Sequence, residues 1–136
     1  TARSERRVEK RERWQRTLAE AMKQSRRAWL PELLPAVNLE QALADLAASQ
    51  DDTLWLGLAH CPVPEHPEWT RQSVKQAMPT GRDVLLAIGP EGDFDPHEIE
   101  AFAQAGFTPV TFGEHRLRTE TAALYAVQAF HILNAP

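Results

Sequence analysis

The sequence predicts an α/β domain with a mostly parallel sheet and flanking helices. Two short apolar runs, residues 84–88 and 108–112, each lead into a glycine-containing loop and then into a helical pattern. Strands that alternate with helices indicate parallel pairing through crossover connections. At 136 residues, 43% of them hydrophobic, the chain is long enough to bury a core of its own. We therefore expect one domain over residues 1–136.

The N-terminal third of the chain predicts two helices. Apolar residues recur at helical spacing from Trp14 onward, which indicates an amphipathic helix over residues 8–25. Pro31 and Pro35 interrupt that pattern and bracket a short extended piece. Asn38 is a residue type that caps helix N-termini, so a second helix is expected directly after it.

The middle of the chain predicts two strands. Residues 53–59 form a short apolar run before a proline-rich loop, which favours a buried strand. Residues 69–78 show only a weak helical or irregular pattern. The clearest strand is 84–88, which is apolar throughout, as is typical of a central strand in a parallel sheet.

The C-terminal third predicts a helix, a strand and a last helix. Asp95, Pro96 and Glu98 form a strong helix start, because they place Asp at the N-cap, Pro at the first position and Glu three residues after the cap. Gly106 is the expected end of that helix. After the next strand, residues 120–133 are apolar almost all round, which predicts a helix that is deeply buried or shared with a partner subunit.

Charge is distributed unevenly along the chain. The net charge is -4, yet residues 1–29 carry ten Lys/Arg against four Glu, and the other 107 residues carry five Lys/Arg against fifteen Asp/Glu. A basic segment on an acidic domain can attract a polyanion locally. The alternative is a solvated helix face with intermingled glutamates.

Several classes of protein are excluded by composition. No apolar run approaches the roughly 18 residues of a membrane span, and no signal-peptide pattern is present, so a cytosolic location is expected. The single cysteine, Cys61, excludes an internal disulfide. The five histidines show no metal-ligand spacing, and we expect no metal site.

The first of two candidate ligand loops is Ile88-Gly89-Pro90-Glu91-Gly92, at the end of the clearest strand. Glycines can adopt positive φ and let the backbone approach a ligand closely, while proline stiffens the turn between them. The alternative is a tight strand-to-helix turn without a ligand. No Gly-Lys-Ser/Thr or G-x-G-x-x-G pattern is present, which excludes a P-loop and a dinucleotide fingerprint.

The second candidate loop follows residues 108–112 and leads into the last helix. Arg116 and Arg118 flank a leucine there, and Thr119 and Glu120 open the helix. One interpretation is capping by Thr119 with solvent-exposed arginines. The other is an arginine at a strand end that binds phosphate or stabilises negative charge. Because ligands of open α/β sheets bind at strand ends, the two loops together predict one pocket.

Both loops resemble those of a known family. The segments I-G-P-E-G at 88–92 and R-L-R-T-E-T-A at 116–122 resemble the small-subunit ribosomal RNA uridine-N3 methyltransferases of the SPOUT superfamily. The segment that runs from Arg13-Trp14 through residues 21–27 to Pro31-Glu32 is similar to a helix and following strand of the same family. The resemblance covers nearly the whole chain.

The resemblance implies a C-terminal deep trefoil knot, a rare exception to unknotted topology. It implies that S-adenosylmethionine lies bent in this knot, held mostly by main-chain groups. It also implies a homodimer with the active site at the subunit interface, which gives the helix at 120–133 a partner. The residues that the resemblance assigns to the cofactor are Leu58, Ala59, Ile88, Gly89, Pro90, Glu91, Gly92, Phe112, Gly113, Leu117 and Thr121.

The same resemblance implies methylation of uridine N3 in 16S ribosomal RNA. Arg118 is the expected stabiliser of negative charge on the uracil, and Glu120 either accepts the proton or holds the arginine. Expected contacts to RNA come from Gln24, Arg26, Arg27 and Arg116. The alternatives are a non-catalytic knotted domain that binds RNA or dimerises, and a related enzyme that methylates a ribose 2′-hydroxyl.

The chain departs from the family pattern in two places. Asp93 stands where the family usually has a second glycine. Family members also carry an N-terminal RNA-binding barrel domain, and their catalytic domain opens with a strand and a helix. The sequence shows neither, so we expect that the N-terminal part of the domain is missing from this chain.

Overall fold

The computed structural model describes the backbone of residues 2–136 and the side chains of residues 10–136. The chain divides into two units, Thr1–Asn38 and Leu39–Pro136. In the part of the chain that is described, no helix is long and apolar enough to cross a membrane.

The first unit contains one long helix, α1 (Ala2–Gln24). The helix predicted over 8–25 is confirmed, but it begins six residues earlier. It ends where the Ser25 hydroxyl donates to the Ala21 carbonyl at 2.8 Å and Arg26 takes a φ of 53°. Residues 25–38 form neither helix nor strand, and the Arg11 guanidinium donates to the Leu33 carbonyl at 3.1 Å within this unit.

The second unit contains a parallel sheet of four strands. Its strands are β1 (Trp55–Ala59), β2 (Gln72–Ser73), β3 (Val84–Ile88) and β4 (Thr108–Thr111), in the order β2-β4-β1-β3. Its helices are α2 (Leu39–Ser49), α3 (Val74–Ala77), α4 (Pro96–Gln104) and α5 (Thr119–Asn134). Every pairing is parallel, which confirms the predicted fold class. The short β2 and α3 lie where the sequence showed only a weak or irregular pattern.

Two apolar clusters cover the two faces of the sheet. On one face, Leu58, Ile99, Phe102 and Phe107 are buried, with side chains of α2 packed against them. On the other face, Val74, Met78 and Val110 are buried, and Phe130 and Leu133 of α5 pack there. The helices therefore flank the sheet on both sides, and β1 contributes alternate side chains to each cluster.

The position of β3 differs from the prediction. Its bounds match residues 84–88, but it lies at one edge of the described sheet, and β1 and β4 are the inner strands. The apolar run has another cause, since Val84 and Leu86 pack in one cluster and Ala87 packs in the other. Leu85 remains 40% exposed. β3 is apolar because its side chains pack into both clusters, and not because the strand is central in the sheet.

Helix α4 begins with the predicted capping box. The backbone N–H of Glu98 donates to Asp95 Oδ1 at 2.9 Å, and the backbone N–H of Asp95 donates to Glu98 Oε2 at 3.0 Å. The helix ends at Gln104, Ala105 is its C-cap, and Gly106 has a φ of +89° that suits glycine. Both ends of this helix were predicted correctly.

Replacing Asp95 with alanine is expected to lower the free energy of unfolding by about 1 kcal/mol, since a helix donor loses its acceptor. Urea denaturation followed by circular dichroism measures this change. The control is Glu100→Ala, an exposed position of the same helix, which should stay within about 0.5 kcal/mol of the original chain. Equal losses in both variants would contradict the capping role.

Helix α5 is not deeply buried in the described chain. Ala122 and Ala126 face the protein, while Leu124, Val127 and Ile132 are 69%, 53% and 73% exposed. The N-cap is Arg118, and its side chain makes no cap hydrogen bond. The expectation that Thr119 caps this helix is therefore wrong. Thr119 is the first helical residue, and its hydroxyl serves another contact described below.

Candidate functional site

A cavity of about 380 Å³ lies at the carboxyl ends of β1, β3 and β4. The strands are parallel and adjacent, so the loops that leave them meet at one edge of the sheet. This size is within the range of small-molecule sites. The lining includes nine residues from the predicted cofactor and RNA sets, namely Ala59, Ile88, Gly89, Pro90, Glu91, Phe112, Gly113, Arg116 and Leu117.

Five other predicted residues of the second unit do not line this cavity. Leu58 is 1% exposed and packs in the core next to α4. Gly92 and Thr121 are exposed and lie outside the lining, as do Arg118 and Glu120. The expected catalytic pair thus lies at the start of α5, on the surface beside the cavity rather than within it.

In the loop after β3, the residue with a positive φ is Asp93 rather than one of the glycines. Glycines can adopt positive φ, but neither Gly89 nor Gly92 does so, whereas Asp93 has a φ of 64°. The backbone N–H of Asp93 donates to the Pro90 carbonyl at 2.9 Å and closes the turn. Gly89 is required for space, because a Cβ there would lie 2.9 Å from Asp93 Oδ1 and 3.2 Å from Asp93 Cα.

Side chains connect this loop to the segment after β4. The Arg116 guanidinium donates to the Glu91 carbonyl at 2.7 Å. The Thr119 hydroxyl donates to the Gly89 carbonyl at 2.9 Å. The two loops that the sequence singled out are therefore in direct contact, as predicted for a single pocket.

The loop after β1 contributes residues that the sequence interpretation missed. His60 and Cys61 line the cavity together with Arg71, whose guanidinium donates to the His60 carbonyl at 2.8 Å. The backbone N–H of Cys61 donates to Asp93 Oδ2 at 2.6 Å. A signal was available for His60 and Cys61, since they directly follow a predicted strand, at the same edge as the other two loops, whereas Arg71 lies at the far end of the loop.

His60 is held neutral by its surroundings. It is only 6% exposed, and its Nδ1 lies 2.6 Å from the Cys61 carbonyl, which makes Nδ1 the protonated nitrogen. Burial, helped by the charge of Arg71, lowers the pKa of His60, although the Cys61 contact and the Asp93 charge oppose that shift. Burial also raises the pKa of the Cys61 thiol, with Asp93 as the second cause. Neither group is charged near pH 7.

We expect His60 to make folding sensitive to acid. The unfolded chain binds the histidine proton near a pKa of about 6.5, above the folded value. The stability from neutral His60 is therefore present above that pH and is lost as the pH falls towards the folded pKa. Thermal unfolding at pH values from about 7.5 to 5 should show a steeper fall in Tm for the original chain than for His60→Gln. The exposed His97→Gln variant should keep the original slope.

The predicted RNA contacts Gln24, Arg26 and Arg27 lie in the first unit, at the end of α1, and all three are exposed. Among the residues whose side chains are described, no group of His, Cys, Asp or Glu could hold a metal ion. The cavity wall combines apolar side chains with two arginines, Arg71 and Arg116, and three acidic residues, Glu91, Asp93 and Glu114. Such a site suits a flat heterocycle that is read by backbone groups.

Comparison with known proteins gives consistent matches over most of the chain. Residues 1–131 match the family described as an RNA methyltransferase domain. The ribosomal RNA small subunit methyltransferase E of Synechocystis sp. is 33% identical over 122 residues, which is 90% of this chain and 38% of that protein.

Two solved structures share the fold. A probable rRNA-methyltransferase from Porphyromonas gingivalis has a TM-score of 0.79 and 39% identity, over 93% of this chain and 50% of that chain. A putative methyltransferase from Legionella pneumophila, solved in complex with S-adenosylmethionine, has a TM-score of 0.80 and 28% identity, over 96% of this chain and 49% of that one. The chain therefore spans half or less of the length of these relatives.

Proposed function

The chain belongs to the RNA methyltransferase domain family, and from that premise we propose that it transfers a methyl group from S-adenosylmethionine to N3 of a uridine in small-subunit ribosomal RNA. The observation that carries this proposal is the cavity where the loops after β3 and β4 meet. Those loops contain the two motifs of the uridine-N3 methyltransferases. The relative from Synechocystis and the Legionella complex support the RNA and the cofactor respectively.

The cavity residues fit S-adenosylmethionine. Ile88, Leu117 and Phe112 offer apolar surface, and Gly89 and Gly113 lie beside them in the cavity lining. Main-chain N–H and C=O groups at strand ends can bond the edge of an adenine ring without a charged partner. Bound there, the cofactor supplies an electrophilic methyl group on its sulfonium sulfur.

The residues at the start of α5 are proposed to handle the uridine. A bond forms between N3 and the methyl carbon, the sulfur–carbon bond breaks, and its electron pair stays on sulfur. The N3 proton must leave, and Glu120 is the proposed acceptor, directly or through a water molecule. Arg118 stabilises the negative charge that spreads over the uracil. Both side chains are exposed beside the cavity, where an incoming RNA base would arrive.

RNA binding is proposed for Gln24, Arg26, Arg27 and Arg116. All four are exposed; Gln24 is the last residue of the basic helix α1, and Arg26 and Arg27 follow it. Lysine and arginine that neutralise phosphates give affinity that falls with salt. Arg116 already donates to the Glu91 carbonyl, so it would contact phosphate next to the cofactor cavity.

A homodimer and a C-terminal trefoil knot complete the proposal. The dimer is supported by the exposed apolar side chains of α5, because Leu124, Val127 and Ile132 would otherwise remain in contact with water. The knot is supported by the family likeness and by the contacts of Arg116 and Thr119 with the loop after β3.

An RNA-binding domain without activity is the competing function.

The test joins calorimetry with product analysis. The chain is titrated with S-adenosylmethionine, and it is then incubated with unmodified small-subunit ribosomal RNA and the cofactor. Nucleoside mass spectrometry is expected to find 3-methyluridine. A 2′-O-methylated nucleoside would replace the proposed acceptor with ribose, and saturable binding without any methylated nucleoside would favour the non-catalytic domain. Failure to bind the cofactor would overturn the proposal.

A further inference from the structure

We propose that Asp93 is a positioning residue that sets the affinity of the cavity for S-adenosylmethionine by tying the loop after β3 to the loop after β1. This inference rests on the proposed function. Asp93 touches neither the reacting atoms nor Arg118 in this arrangement. Its effect is exerted through the shape and rigidity of the cavity wall, to which it belongs together with Gly89 and Cys61.

Both carboxylate oxygens of Asp93 are used within the fold. Oδ2 accepts the backbone N–H of Cys61 at 2.6 Å, and Oδ1 accepts the backbone N–H of Phe94 at 2.8 Å. Hydrogen bonds to an ionised acceptor are shorter and stronger than neutral ones. The bond to Cys61 joins the loop after β3 to the loop after β1.

The backbone at Asp93 does not explain the residue by itself. A φ of 64° is in the left-handed region, where glycine is unstrained and aspartate is tolerated. Glycine would therefore satisfy the turn equally well and would leave the Cys61 N–H without this acceptor. The side chain adds a link between loops that backbone conformation cannot supply.

The loop after β3 is thereby held from two sides. Arg116 and Thr119 bond its carbonyl groups from the segment after β4, and Asp93 bonds the loop after β1. A cavity wall that is already ordered spares the ligand the entropy of ordering it, which raises affinity. Removing the Asp93 link is expected to weaken binding of the cofactor more than it slows the chemical step.

The experiment compares Asp93→Gly and Asp93→Asn with the original chain. Affinity for S-adenosylmethionine is measured by calorimetry, and KM and kcat by methyl transfer to RNA. We expect Asp93→Gly to raise Kd and KM for the cofactor by about tenfold or more, from the loss of a charged hydrogen bond, with kcat within about threefold. Asp93→Asn keeps one acceptor oxygen and should fall between the two. The exposed Asp52→Asn variant is the control.

Different failures lead to different conclusions. If the original chain binds the cofactor and Asp93→Gly binds it equally well or better, Asp93 serves only the turn and the inference is overturned. If kcat falls with KM unchanged, the residue acts on chemistry and the positioning role is again overturned. If the original chain itself does not bind, the proposed function fails first, and the inference fails with it.

Discussion

Replacing Arg118 with alanine is expected to slow methyl transfer by about 100-fold or more, as removal of a charge-stabilising donor does in other enzymes. Affinity for S-adenosylmethionine should change by less than about twofold, a free-energy change near 0.4 kcal/mol. The reason is positional, since Arg118 is exposed at the start of α5 and does not line the cavity. Single-turnover methylation of RNA and calorimetry with the cofactor measure the two effects separately.

The matched control for Arg118 is Arg82→Ala. Arg82 is also exposed, but its guanidinium bonds the carbonyl groups of Thr53 and Asp52, away from the cavity. Methyl transfer by this control should be close to that of the original chain. If Arg118→Ala lost cofactor affinity and kept its kcat, Arg118 would belong to the cofactor site and the proposed role would be wrong.

The second large effect is expected at Gly89. A methyl group there would lie 2.9 Å from Asp93 Oδ1 and 3.2 Å from Asp93 Cα, so the loop after β3 must shift. We expect Gly89→Ala to weaken binding of S-adenosylmethionine by about tenfold or more, because overpacking moves the backbone that forms the cavity wall. Calorimetric titration measures the loss.

Gly92→Ala is the paired variant in the same loop. A methyl group at Gly92 meets nothing within 4 Å, and its φ is not in the left-handed region. Its affinity for the cofactor should therefore remain within about twofold of the original, which corresponds to about 0.4 kcal/mol. Equal losses at both glycines would mean that loop flexibility, rather than the contact with Asp93, governs binding.

Local sequence signals predicted most helices and strands of this fold. The capping box at Asp95 and Glu98 could be predicted from the sequence because both of its hydrogen bonds form within a segment of four residues. The position of β3 in the sheet could not be predicted from the sequence. An apolar strand shows the same pattern whether it is a central strand or an edge strand with both faces covered. The two-residue β2 is too short for a periodic pattern, and its pairing with β4 depends on residues far away in sequence.

In the candidate site, too, features set by neighbouring residues in the sequence were predicted, and features set by distant residues were not. The loops after β3 and β4 were recognisable from their own residues, and the structure brings them into contact. His60 and Cys61 directly follow a predicted strand, whereas the place of Arg71 depends on how the loop between β1 and β2 folds back, which no local pattern indicates. The positive φ lies at Asp93 rather than at a glycine, and the side chain of Asp93 bonds Cys61, a partner 32 positions away that no local pattern indicates.

The strand order β2-β4-β1-β3 also constrains how the chain can fold. β4 is the last strand to be made, yet it pairs with β1 on one side and β2 on the other. β1 and β2 therefore lack a strand between them until residues 108–111 pair with both. Pairings over such sequence distances are slow to form. Nascent chains that stop before β4 should consequently expose two unpaired strand edges and depend on chaperones for solubility.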